Sequence, residues 1–291
     1  MKITLILTDF SDNATHAAEF GYQFAKQVKS NIILCNAVAT PVEMPQGNLV
    51  VWPTYAYDEI AQSCAAEEKK LKEKLVSSNN VGFEPEVKCI NEAGAVSDVV
   101  NEIVNTHDVG LIVIGTHVKD GMSSFILGDH SRHLIDSASK PLLLVPPRVK
   151  SGAVKKIAFA TDLESIGADV AAILELITYA KEINAEILIT YVDNDRYDSF
   201  HIKAVMNELL NNLWNLTDYP LIYYKFIQSY SLGSGLEWLC EHDNVDMLAM
   251  VHRTHNFFVS AIQGSHTKKM AGQLTKPLLV FKNRPKSRSV A

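Results

Sequence analysis

Two aspartates end the same short phrase in different halves of the chain: Ile6-Leu-Thr8-Asp9 near the start, and Phe159-Ala-Thr-Asp162 past the middle. A second pair of phrases joins glycine, a short polar residue and histidine, Gly128-Asp129-His130 and Gly264-Ser265-His266. In both copies twelve residues separate the glycine from a proline that opens an apolar run, Pro141-Leu-Leu-Leu-Val145 and Pro277-Leu-Leu-Val280. A carboxylate accepts N–H donors, and a glycine turn running into a helix N-terminus offers free backbone N–H groups to an anion. The chemistry this suggests is recognition of a polar or phosphorylated small molecule. Each feature also has a structural use, since Asp9 and Asp162 would equally serve as N-caps of the helices that follow.

Histidines gather in matching regions, His117, His130 and His133 in the first half and His252, His255 and His266 in the second. Imidazoles at the mouth of one crevice could hold a metal or an anion. Their spacing fits no HExxH or Cys/His set, so polar loop and cap contacts are expected and a metal is not. No G-x-S-x-G nucleophile elbow, Walker loop or spaced Cys/His pair is present, and no catalytic set stands out. Gly233-Ser-Gly235 lacks the third glycine of a dinucleotide fingerprint and reads as a helix cap.

The elements that must position these residues alternate between strand and helix. Ile3–Leu7 reads as a buried strand, residues 17–28 as a helix and residues 31–37 as a second strand. A loop rich in proline and aromatics spans Thr40 to Tyr57, in which Trp52, Tyr55 and Tyr57 would form a lid or pack on the other half. A charged helix follows over 65–75, then a strand at 87–90, a helix at 96–106, a strand at 109–114, a loop from Gly115 to Leu127, a helix at 130–138 and a last strand at 141–145. The second half repeats this order from Ile157 to Phe281. The Thr-Asp phrases lie 153 positions apart and the Gly-x-His phrases 136 apart, so the second half is 17 residues shorter, mostly where the loop after strand two shrinks to residues 193–198. Alternating strands and helices imply crossovers, a parallel sheet and helices on both faces. The fold class is therefore α/β, two similar doubly wound domains of five strands each, at 1–147 and 153–283, joined by a linker around Pro146-Pro-Arg-Val-Lys-Ser-Gly152.

Composition narrows the function. The chain has 291 residues, 47% hydrophobic and 21% charged, as soluble globular proteins do. A net charge of −6 argues against nucleic acid, which is held through clustered Lys and Arg. The one basic run, Arg284 to Arg288, reads as a solvated tail. No apolar run approaches the roughly 20 residues needed to span a bilayer, and no signal peptide is evident. Four scattered cysteines without a CxxC pair fit a reduced, cytoplasmic setting.

With these residues in view, the chain resembles the universal stress protein family in both halves, with the adenine nucleotide alpha hydrolase-like architecture that family implies. The resemblance rests on Ile6-Leu-Thr-Asp-Phe-Ser11, Ile114-Gly-Thr-His117, Leu127-Gly128 and the closing Pro-Leu-Leu-Leu-Val. It implies a small-molecule nucleotide, ATP or AMP, with the aspartate and a backbone contact from the end of strand two holding adenine. The loop pattern G-x-x-G-x9-G-[ST] would hold phosphate. Carried onto this chain, the implied contacts are Thr8, Asp9, Ala37, Gly115, Val118, Gly128, Asp129 and His130 in one half, and Asp162, Val192, Gly264, Ser265 and His266 in the other. It also implies that the two halves pack as an internal pseudo-dimer through their last strands, with further homodimerisation open.

The loop departs from that pattern in each half. Val118 stands where the second glycine belongs, and Asp129 replaces the hydroxyl with a carboxylate that would repel a polyphosphate. In the second half the aligned positions are Val251, Thr254, Gly264 and Ser265, so both earlier glycines are missing. Three readings stay open at this point: a stress-response binding or signalling module, a slow ATPase or nucleotide-processing enzyme, and a structural stress factor that binds no nucleotide.

Overall fold

Strand β1 (Ile3–Leu7) is a run of apolar residues buried from Thr4 onward, and the chain leaves it through Ser11 into helix α1 (Asp12–Gln27). Ser11 caps that helix by accepting the Ala14 N–H, and its buried stripe includes Ala17, Ala18, Phe20 and Phe24. The computed structural model describes residues 2–38, 54–77, 82–118, 125–126, 134–147, 149–150, 152–193, 199–253 and 275–283. After α1 come β2 (Asn31–Val38), α2 (Thr54–Ser77), β3 (Val87–Ala93), α3 (Val96–Thr106), β4 (Val109–Gly115), a two-residue ribbon β5 (His117–Val118) and β6 (Phe125–Ile126), and β7 (Leu142–Val145). The second half supplies β8 (Lys156–Thr161), α4 (Ile166–Ile183), β9 (Glu186–Asp193), α5 (Ser199–Trp214), β10 (Ile222–Gln228), α6 (Leu232–His242), β11 (Met247–His252) and β12 (Leu278–Lys282).

Among the described residues ten strands form one sheet in the order β10-β9-β8-β11-β12-β7-β4-β1-β2-β3. Each half contributes five neighbouring strands in the same relative order. All pairs within a half are parallel, and β12 meets β7 antiparallel with Leu278 opposite Leu144, Leu279 opposite Leu143 and Val280 opposite Leu142. This is the pairing of last strands expected of an internal pseudo-dimer, a self-complementary contact made within one chain.

Successive strand residues point to opposite faces, so the sheet carries two cores. One contains Ile6, Phe24, Leu143, Phe159, Leu279 and Phe281, the other Leu5, Leu142, Leu144, Leu248, Leu278 and Val280, and both run across the two halves. Off the sheet, the halves also meet where the Tyr179 hydroxyl of α4 donates to the buried Gly110 carbonyl of β4 at 2.6 Å. Gln27 clamps the linker, accepting from Val154 N–H at 2.9 Å and donating to the Gly152 carbonyl.

Two expectations change. Helix α2 begins at Thr54 rather than near Ala65, so Tyr55 and Tyr57 belong to a helix and not to a loop, while Trp52 lies outside the described residues. The β-strand tendency of the segment after Gly115 is also used, because His117 pairs with Ile126 and Val118 with Phe125. Of the helix expected over 130–138, the described part is helical over 134–137.

Candidate functional site

In a sheet of this topology the ligand crevice opens at the carboxyl ends of the strands flanking the switch in strand order. Those are β1 and β4 in the first half and β8 and β11 in the second. Asp9 follows β1 and Asp162 follows β8, so both reach the switch point of their own half.

The turn that presents each aspartate is duplicated in detail. Buried Thr8 accepts the Phe10 N–H at 3.0 Å, and Thr161 accepts the Leu163 N–H at 2.9 Å. Both donating residues adopt left-handed backbone, with φ 62° at Phe10 and 60° at Leu163, a conformation that bulky side chains enter only when surrounding bonds enforce it. Asp9 Oδ1 then accepts the Ser11 N–H at 3.0 Å and the Ser11 hydroxyl at 2.5 Å, as Asp162 Oδ1 accepts the Glu164 N–H at 3.0 Å. Neither aspartate is the helix N-cap: Ser11 holds that place before α1, and Ser165 holds it before α4.

Beyond the turn the halves diverge. Asp9 is exposed, and among the described residues its Oδ2 makes no hydrogen bond. Asp162 is instead 13% exposed and ion-paired with the Arg253 Nη1. The same guanidinium lies 2.6 Å from Asp169 Oδ1 through Nη2, and the Thr161 hydroxyl donates to Asp169 Oδ2, also at 2.6 Å. Asp169 is 1% exposed, and burial pushes its carboxyl up, to about 7. The Arg253 guanidinium in contact favours the carboxylate form, since an arginine keeps its proton even when burial lowers its pKa. The sequence gives one signal of this cluster: the offset of 136 sets Arg253 opposite His117, and the offset of 153 sets Asp169 opposite His16. His16 carries a buried Nε2 with no hydrogen-bond partner among the described residues.

The remaining expected positions separate in the same way. Ala37 is half-buried at the end of β2, its backbone in register with Glu92 of β3, beside the Asp9 turn. Val192 is covered: a Cβ on Gly235 of α6 would lie 2.6 Å from its Cγ1, so the helix backbone packs directly on the end of β9. Gly115 closes β4 under α1, where a Cβ would fall 2.8 Å from the Asn13 carbonyl oxygen. That glycine is required by helix packing whatever else the loop does. Val118 is drawn into the β5–β6 ribbon, while Gly128, Asp129, His130, Gly264, Ser265 and His266 lie outside the described residues.

His252 stands at the end of β11 and contacts Asp136 Oδ1 of the first half at 3.1 Å, a structural contact between halves. Among the described residues no group of three or more His, Cys, Asp or Glu side chains gathers as metal ligands do, all four cysteines are free, and no helix is long and apolar enough to cross a membrane. A separate cleft of about 600 Å³ runs along β10 and α6 past Phe226, Tyr230 and Trp238, on the outer edge of the second half and not at its switch point.

Comparison with known proteins agrees with this architecture. A sequence model of the universal stress protein family matches residues 1–146. No curated protein matches the chain. Among solved structures, a universal stress protein from Archaeoglobus fulgidus is similar over 97% of this chain and 98% of its own, at 17% identity and a TM-score of 0.70. A putative universal stress protein from Pseudomonas aeruginosa covers 97% of this chain and 93% of its own, at 15% identity and a TM-score of 0.52. At such identities the likeness is one of fold, and it extends through the second half, which the family model does not reach. The chain belongs to the universal stress protein family.

Proposed function

We propose that the chain is a stress-response binding or signalling module of the cytoplasm, a binder rather than a catalyst, whose first-half crevice takes an adenine nucleotide. The observation that carries this reading is Asp9: a carboxylate held by a strained turn at the switch point, exposed, with one oxygen unused among the described residues. An adenine amino group is a donor suited to that oxygen, and the half-buried end of β2 at Ala37 adds a backbone edge beside it. The carboxylate of Asp129 in the loop sequence favours AMP over ATP, because each further phosphate adds like charge. The four free cysteines accord with a reducing compartment.

A ligand that binds only the native state raises the melting temperature, by about 2.7 kcal/mol of stabilisation at a hundredfold excess over Kd. Melting the full chain with AMP, ADP and ATP, with and without magnesium, should therefore give a rise of several degrees, largest for AMP and abolished by Asp9→Ala. No rise with any nucleotide sinks the reading and leaves the structural stress factor. Phosphate release above a protein-free control would replace it with the slow ATPase.

A further inference from the structure

The geometry points to Arg253 as a built-in occupant of the second crevice, a side chain that fills the place a ligand would take and leaves the chain with one nucleotide site rather than two. Asp162 is the carboxylate the duplicated turn presents at that switch point, and the Arg253 Nη1 already holds it. A guanidinium is planar and presents N–H donors along one edge, as an adenine amino edge does, so it satisfies the carboxylate in the same chemical sense. The arginine is itself held from behind. Its Nη2 contacts Asp169 Oδ1 at 2.6 Å, and Asp169 is fixed by the Thr161 hydroxyl. A ligand entering this crevice would have to displace a cation from two carboxylates and leave Asp169 buried and unpaired. The first half has histidines at both equivalent positions, His117 and His16, and leaves Asp9 exposed. On the far side of the second crevice the Val192 side chain lies under α6.

The ligand excluded takes its identity from the nucleotide reading above, while the occupancy itself does not depend on it. The test is the stoichiometry of AMP bound to the full chain by equilibrium dialysis, in the wild type, in Asp9→Ala and in the double variant Arg253→Ala, Asp169→Asn, which removes the guanidinium without stranding a buried charge. One AMP per wild-type chain, none in Asp9→Ala and two in the double variant is the expected result. Two per wild-type chain would overturn the occupancy and keep the nucleotide reading. None in the wild type but one in the double variant would do the reverse. None in either, with the double variant folded by circular dichroism, would overturn the nucleotide reading, and the occupancy would then stand or fall on carboxyl footprinting of the wild type. If the double variant does not fold, carboxyl footprinting of the wild type decides: carbodiimide-activated labelling read by mass spectrometry should modify Asp9 at least tenfold faster than Asp162, and equal rates would refute the plug.

Discussion

Burial pushes the Asp169 carboxyl up, to about 7, although the Arg253 guanidinium lies 2.6 Å away. Arg253→Met removes that charge and nearly preserves the volume, leaving Asp162 as a like charge facing Asp169. The folded pKa then lies further above the unfolded value of about 3.9 than in the wild type, so the native state binds the proton more tightly. Stability of the variant should accordingly be retained below about pH 4 and fall as pH rises through about 7, more steeply than that of the wild type, whose Asp169 is already raised. Urea unfolding of both proteins at pH 4.5 and 8 checks this, and parallel pH profiles would contradict it. The carboxylates at the strand ends were legible in the sequence because they repeat. Arg253 was not, because it lies in neither repeated phrase and matters only through partners 84 and 91 positions away, which strand pairing brings together.

The elements follow the sequence where periodicity is strong and depart from it where tertiary contact decides. Strands β1, β4, β7 and their counterparts stand within a residue or two of their apolar runs, since a strand buried on both faces has no polar alternation to confuse its limits. Helix α2 starts eleven residues before its charged stretch, in a segment whose aromatics read as a loop. Gly115 is the instructive case, because a glycine in a phosphate-loop pattern is accounted for by the Asn13 carbonyl of α1. Gly115→Ala should therefore lower the melting temperature of the ligand-free protein, with a loss of roughly 1–3 kcal/mol from overpacking against the helix backbone. Val251 at the equivalent position of the second half is buried without such a clash, so Val251→Ala should instead cost the lost methyl groups and a small cavity. If Gly115→Ala left the melting temperature unchanged and weakened only AMP binding, the glycine would serve the ligand and not the helix.

At the scale of the whole molecule, the seam between the halves is as buried as any strand pair. Leu142, Leu143, Leu144, Leu278, Leu279 and Val280 are each at most 3% exposed, and both cores cross the seam without a break. Neither half can separate without exposing the last strand of its own sheet together with the apolar groups on both faces of it. A duplicated chain of this length would ordinarily be expected to unfold in two steps. Here the shared strands and the buried Tyr179 to Gly110 bond argue for one, because each half supplies part of the other's core. Native-state hydrogen exchange reads the difference. The amides of Leu5 to Leu7 in β1 and of Ile187 to Ile189 in β9 should share one opening free energy. Leu279→Ala, a core truncation worth about 2–5 kcal/mol, should lower protection in both by the same amount although it lies in the second half. Loss confined to β9 would show that the halves fold independently and that the seam only docks them. Equal loss would mean that a ligand held at the single open crevice stabilises the plugged half as well, giving the second domain a thermodynamic part in binding without a site of its own.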